Sequence, residues 1–96
     1  MNITEAIHRL ERLVNMNCGA SRAGASVLLY AWDPDHPIRD LYTLDRENFR
    51  AALIVIEGTF GNCLRENIPQ ICSTLDLPKL AERYGKNGWH WQPENT

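Results

Sequence analysis

Residues 18–26, CGASRAGAS, bring nucleophiles, glycines and a cation together in one short stretch. A phosphate loop of the G-x-x-x-x-G-K-[ST] type would need a lysine where Ala25 stands. A G-x-S-x-G nucleophile turn would need a second glycine at Ala23. A cysteine phosphatase loop would need an arginine six residues after Cys18, and that residue is Gly24. Each pattern lacks the residue that carries its chemistry.

The same segment is typical of a junction between two helices. Gly19 favours the end of the first helix, and the Ser21 hydroxyl can cap the next one by accepting from free N–H groups. Small residues that would let a neighbouring helix approach are Ala20, Ala23, Gly24 and Ala25. A second interpretation stays open, in which Ser21 and Arg22 hold an anion or a partner's carboxylate at this helix start.

The residues that could bind a metal ion are scattered along the chain: His8, His36, His90, Cys18, Cys63 and Cys72. No pair has C-x-x-C or H-x-x-x-H spacing, so the sequence predicts no metal site and no cofactor. We expect Cys63 and Cys72 to fill small gaps in the core. No histidine or nucleophile is placed beside the twelve acids in a catalytic pattern, so we expect a protein that is not an enzyme.

Composition and charge narrow the class of protein. The 96 residues, 44% hydrophobic and 23% charged, suit one soluble domain with a modest core. The net charge of −2 argues against direct nucleic-acid binding, which depends on an excess of Lys and Arg. Residues 33–47 carry five acids and two arginines, and this acidic segment is the clearest charge asymmetry in the chain.

The compartment is predicted from cysteine usage and from the N-terminus. Three cysteines without a close pair do not form an even disulfide framework. The first residues, MNITEAIHRLERL, are amphipathic and charged, unlike a signal or transit peptide. No apolar run approaches the roughly 18 residues of a membrane span. We therefore expect a cytoplasmic protein that does not bind a membrane.

Helical spacing of apolar residues predicts the elements that would position these side chains. The first helix is capped by Asn2 or Thr4, and with Asn2 as the cap Glu5 completes a capping box. Gly19 is its predicted stop. The second helix begins at Ser21 and ends at DPDHP, because proline disfavours helix at its own and the preceding position. Its run VLLYAW is too apolar for a surface helix, so we expect it in the middle of a bundle.

Three further helices are predicted in the second half of the chain. Thr43 or Asp45 caps the third, whose buried stripe is expected to be Phe49, Ala52, Leu53, Ile56 and Phe60. A short fourth helix follows Asn67, with Pro69 in its first turn.

The fifth helix follows Asp76 and stops at Gly85. The fold class is therefore all-α, a compact single-domain bundle of about five short helices. We place the helical domain at residues 1–88 and an aromatic and polar tail at residues 89–96.

The tryptophans suggest where a partner would bind. Trp32 stands at the mouth of the DPDHP loop, and Trp89, His90 and Trp91 alternate near the C-terminus. Trp is a frequent anchor of protein interfaces, although these rings could also cover the core. The predicted partner surface joins the aromatic and acidic groups: Trp32, Asp33, Asp35, His36, Asp40, Trp89, His90 and Trp91.

The phrases GASR, LLYAW and DLYTLD resemble a family of small uncharacterised proteins encoded on proteobacterial mobile elements and phages. The matching residues are Gly19, Ala20, Ser21, Arg22, Leu28, Leu29, Ala31, Trp32, Asp40, Leu41, Leu44 and Asp45. The resemblance covers the first half of the chain. It implies a genomic setting in which small accessory proteins often bind and block a host protein, defence complexes included.

The function predicted from the sequence is binding to another protein. The most specific version of this prediction is that the protein inhibits a host defence or regulatory complex that binds nucleic acid. One alternative is a DNA-binding regulator that uses the helix pair at residues 69–85, whose second helix has only Lys79 and Arg83 as cations. The other is a small ligand-binding domain at Ser21 and Arg22. A symmetric homodimer is also considered, since five short helices could leave the apolar second helix uncovered.

Overall fold

A computed structural model describes residues 1–60 and 64–85 of the chain, and this part is all-α. Five α-helices and a 3₁₀ turn follow one another: α1 (Ile3–Asn15), α2 (Ser21–Trp32), the turn (Leu41–Thr43), α3 (Arg46–Gly58), α4 (Leu64–Ile71) and α5 (Leu77–Tyr84). The predicted bundle of about five short helices is confirmed. No helix in these two stretches combines the length and the apolar character needed to cross a membrane.

α1 begins with the capping box that the sequence predicted. The Asn2 side chain accepts from the Glu5 backbone N–H at 2.8 Å, and the Glu5 carboxylate accepts from the Asn2 N–H at 2.8 Å. Asn2 is therefore the cap, and Thr4 is not. The predicted stop is wrong, because the helix ends at Asn15 and the left-handed residue after it is Asn17, with φ 52°.

α2 lies in the middle of the bundle, as its apolar run predicted. Nine of its twelve residues are buried, and it contacts α1, α3, α4 and α5. At Gly24 an added Cβ would lie 3.2 Å from a methyl group of Leu13, so the small residues of the junction do admit a neighbouring helix. The other helices of the same chain already cover α2. A homodimer is therefore not needed to bury this helix.

α3 begins where Asp45 caps it, with the carboxylate accepting from the Asn48 N–H at 2.8 Å. The face that packs inward consists of small side chains: Ala51, Ala52, Val55 and Gly58. An added Cβ at Gly58 would overlap the end of the Ile3 side chain, so α1 and α3 meet at close range there.

This packing overturns the predicted stripe of α3. Of its five residues only Ala52 is buried, whereas Phe49, Leu53 and Phe60 are exposed and Ile56 is half-buried. The physical reason is the short distance between helices, which small side chains allow and large ones on the same face would prevent.

α4 starts earlier than the sequence analysis placed it. Pro69 is the sixth residue of the helix rather than part of its first turn. Leu64 and Ile68 lie one turn apart, and both are buried, so their shared face sets where the helix packs. α5 agrees with prediction, because Asp76 caps it through the Lys79 N–H and Gly85 ends it.

The core forms where α1, α2 and α3 meet, and α4 and α5 close it from the side of α2. Cys72 is fully buried in this core, as expected for a side chain that fills a gap. The predictions for Cys63, Trp89, His90 and Trp91, and for a domain boundary at residue 88, lie outside the described residues.

Candidate functional site

An open apolar cleft lies at the C-terminal end of α2, beside Trp32. Its volume is about 370 Å³. The lining residues come from α2, α4, the α4–α5 connection and α5: Trp32, Pro69, Leu75, Asp76, Leu77 and Pro78. Pro69 and Pro78 are exposed at its rim, and Leu77 is buried at its base. We call this feature the Trp32 cleft.

The His36 ring packs against one face of the Trp32 ring. The two rings are stacked, with centroids 6.0 Å apart and planes 9° from parallel. His36 is only 7% exposed, and an added Cβ at Gly85 would lie 2.6 Å from its Nδ1. The end of α5 therefore covers most of His36 and leaves little of this side chain for the partner contact that the sequence predicted.

Arg39 fixes the loop that carries His36, a role that the sequence did not predict. Its Nη2 donates to the carbonyl oxygens of Tyr84 at 3.1 Å and Gly85 at 2.9 Å. Its backbone N–H donates to Ser26 Oγ at 3.1 Å. The loop after α2 is therefore tied to both α2 and α5. A hydroxyl inside the otherwise apolar α2 was the available signal, since a buried Ser needs a polar partner.

The acids predicted for the partner surface divide into two groups. Asp33 directly follows Trp32, and its carboxylate accepts from the Asp35 N–H at 3.0 Å. Asp35 is exposed, and Asp33 is partly exposed. Asp40 instead lines a separate cleft, where its carboxylate lies 3.8 Å from an Arg22 nitrogen. The structure therefore brings Trp32, Asp33 and Asp35 together and separates Asp40 from them.

The predicted anion site at Ser21 and Arg22 is not formed. Ser21 is 1% exposed, and its hydroxyl donates to the Leu13 carbonyl and accepts from the Cys18 N–H, both at 2.8 Å. It joins the end of α1 to the turn instead of capping α2, which begins after Ala20. Arg22 already faces the Asp40 carboxylate, which would repel an anion.

Cys18 and Cys72 differ in their acid–base behaviour. The pKa of the exposed Cys18 thiol is lowered, chiefly by the Ala20 backbone N–H and then by the Ser21 hydroxyl. Burial raises the pKa of Cys72 to about 12. Across residues 1–60 and 64–85, no three or more His, Cys, Asp or Glu side chains are grouped so that they could hold a metal ion.

The α4–α5 pair has no positive face for a nucleic-acid backbone. Residues 64–85 contain three cations and three acids. Lys79 and Arg83 are exposed on α5, with Glu82 between them in the sequence. This charge balance does not favour the DNA-binding alternative, which requires an excess of cations on one face.

Comparison of the chain with protein-family models, with curated proteins and with solved structures produced no match. Function is therefore inferred from the chain's own geometry.

Proposed function

We propose that this protein is a small helical module that binds another protein through the Trp32 cleft. The observation that carries the proposal is the position of Trp32 itself. The ring lines an open apolar cleft beside two exposed prolines and stacks on His36, whose loop Arg39 ties to the end of α5. A preorganised aromatic side chain loses little conformational entropy on binding, which favours an interface anchor.

The acids beside the cleft indicate the chemistry of the partner. Asp76 lines the cleft, Asp33 directly follows Trp32, and Asp35 is three residues after Trp32 in the sequence. An apolar cleft lined by one carboxylate, with two further acids close to Trp32 in the sequence, fits a protein segment that presents one apolar side chain flanked by Lys or Arg. The sequence resemblance favours a host nucleic-acid-binding complex as the source of such a segment. Binding there would block the complex, and this inhibitory role is part of the proposal.

The test is an affinity capture from nuclease-treated bacterial lysate, with identification by mass spectrometry. The tagged 96-residue chain is compared with Trp32→Ala, which removes one wall of the cleft, and Asp35→Lys, which reverses a charge three residues after Trp32. Glu47→Lys is the matched control, because Glu47 belongs to the same acidic segment but lies on α3 outside the cleft. Circular dichroism confirms that each variant is folded.

We expect one stoichiometric protein that survives nuclease, is retained by Glu47→Lys and is lost with both cleft variants. A protein captured equally by all four forms would contradict the proposed site. Capture of nucleic acid alone, sensitive to salt, would contradict protein binding and support the DNA-binding alternative.

A further inference from the structure

α3 carries a second surface, separate from the Trp32 cleft and independent of its proposed role. Phe49, Leu53 and Ile56 follow one another at spacings of four and three residues, which places them along one face of α3, and Phe60 lies two residues past the last residue of the helix. We call this set the α3 stripe. Phe49 is 38% exposed, Leu53 47% and Phe60 67%, and Ile56 is half-buried.

The α3 stripe cannot turn inward without losing the packing that holds α3. The opposite face of the helix presents Ala51, Val55 and Gly58 to the core. At Gly58 an added methyl group would displace the end of the Ile3 side chain, which packs there from α1. A large apolar face on the outside of a small domain is typical of an interaction surface.

The spacing of the stripe indicates what kind of element would cover it. Alternating steps of four and three residues are the pattern of a seam between two nearly aligned helices. We propose that the occupant is a second copy of this chain, with the two α3 helices packed antiparallel about a two-fold axis. In a two-fold interface the same surface serves both copies, so one stripe is sufficient.

The charges beside the stripe favour this antiparallel pairing. Arg50 and Glu57 each follow a stripe residue by one position, so both lie on the same flank, two turns apart. When two helices pair antiparallel, like flanks meet. With Leu53 opposite Ile56 of the second copy, Arg50 lies beside Glu57 of the second copy, and symmetry repeats this pair.

A parallel arrangement would not use these charges. Each charged flank would then meet the other flank of the second copy, where Ala52 and Thr59 lie. Neither residue carries a charge. The pattern of Arg50 and Glu57 is therefore complementary to itself only in the antiparallel direction.

The test measures the mass of the 96-residue chain by sedimentation equilibrium from micromolar to millimolar concentration. We expect a concentration-dependent dimer. Leu53→Glu should weaken dimerisation by about a hundredfold or more, because it places two carboxylates in the apolar seam. Tyr42→Glu is the control, since Tyr42 is 87% exposed but lies before α3 and outside the stripe. It should leave the dimer intact.

Two charge variants test the direction of the pairing. Arg50→Glu and Glu57→Arg should each weaken the homodimer by about tenfold, because each puts like charges together twice. Mixing the two variants should restore a one-to-one heterodimer, since the opposite charges then meet again. Thermal unfolding monitors that each variant folds.

A chain that stays monomeric to millimolar concentration, or a dimer that survives Leu53→Glu, would overturn the proposal. A dimer that is weakened by Leu53→Glu but forms no preferred heterodimer from the mixed charge variants would overturn the antiparallel pairing. These outcomes do not depend on the Trp32 cleft, so the two proposals fail separately.

Discussion

Helices α2 and α3 have similar lengths and both carry large apolar side chains, yet they occupy different environments. α2 contacts four other helices and has nine buried residues. α3 packs through Ala51, Ala52, Val55 and Gly58, while Phe49, Leu53 and Phe60 are exposed. The difference shows that hydrophobicity alone does not decide which face of a helix is buried. The size of the side chains and the approach of the neighbouring helix decide it.

The largest expected effect compares one leucine from each helix. Leu28 in α2 is fully buried, whereas Leu53 in α3 is 47% exposed. Leu28→Ala should lower the free energy of unfolding by about 3 kcal/mol, because it removes buried methyl groups and leaves a cavity. Leu53→Ala should cost about 1 kcal/mol or less. Urea denaturation at a concentration where the chain is monomeric measures both, and equal losses would mean that the α3 stripe is buried.

A smaller effect extends the comparison to charged residues. Glu11 on α1 is 6% exposed, and its carboxylate accepts from the backbone N–H of Thr74 at 2.8 Å as well as from the Thr74 hydroxyl. Glu11→Ala leaves these donors without their acceptor, so the free energy of unfolding should fall by about 2 kcal/mol. Glu57→Ala on the exposed side of α3 should change it by less than about 0.5 kcal/mol in the monomer.

The contribution of Glu11 should also depend on pH. Burial raises the pKa of its carboxyl, but hydrogen bonds from Thr74 and His8 lower it by more, so the folded-state pKa lies below the ordinary value. The stabilisation is therefore fully present above about pH 5 and is lost as the pH falls through the folded-state pKa. Unfolding curves of the natural chain and Glu11→Ala should converge as the pH falls below the folded-state pKa of Glu11. A difference in the free energy of unfolding that does not change with pH would contradict hydrogen bonding to the ionised carboxylate of Glu11.

The comparison with the smallest expected effect on stability is between the thiols of Cys18 and Cys72, whose reaction rates should differ. Cys18 is exposed with a lowered pKa, and Cys72 is buried with a pKa raised to about 12. In native protein at neutral pH, iodoacetamide should modify Cys18 at least about a hundredfold faster, because the thiolate is the reactive form. Peptide-resolved mass spectrometry measures the two rates.

Ser21→Ala sharpens this comparison, because the Ser21 hydroxyl is one cause of the lowered pKa. The variant should slow the modification of Cys18 and leave Cys72 unchanged. Faster modification of Cys72 in this variant would instead mean that the core has opened.

Local signals predicted much of the fold. The capping box of α1 and the caps Asp45 and Asp76 all depend on residues close in sequence. The stripe of α3 was predicted incorrectly because the helix has two apolar faces, one large and one small. Periodicity favoured the large face, but the position of Ile3 selected the small one.

The candidate site was predicted less completely than the fold. Trp32, Asp33 and Asp35 do lie together, since they are neighbours in the sequence. The cleft itself depends on Pro69 and Pro78, which only folding brings to Trp32. The burial of His36 and the contacts of Arg39 with the end of α5 likewise join residues more than 40 positions apart. No local pattern encodes such contacts.

The sequence by itself determined that the described part of this chain is all-α, where most of its helices begin, and that α2 lies inside the bundle. Those properties follow from hydrogen-bond caps, prolines and apolar composition, which act over a few residues. The tertiary structure decided which face of α3 is buried, that Ser21 joins α1 to α2 rather than binding an anion, and that Trp32 lines an open cleft. These outcomes depend on how closely two helices approach, and that distance is a property of both surfaces together.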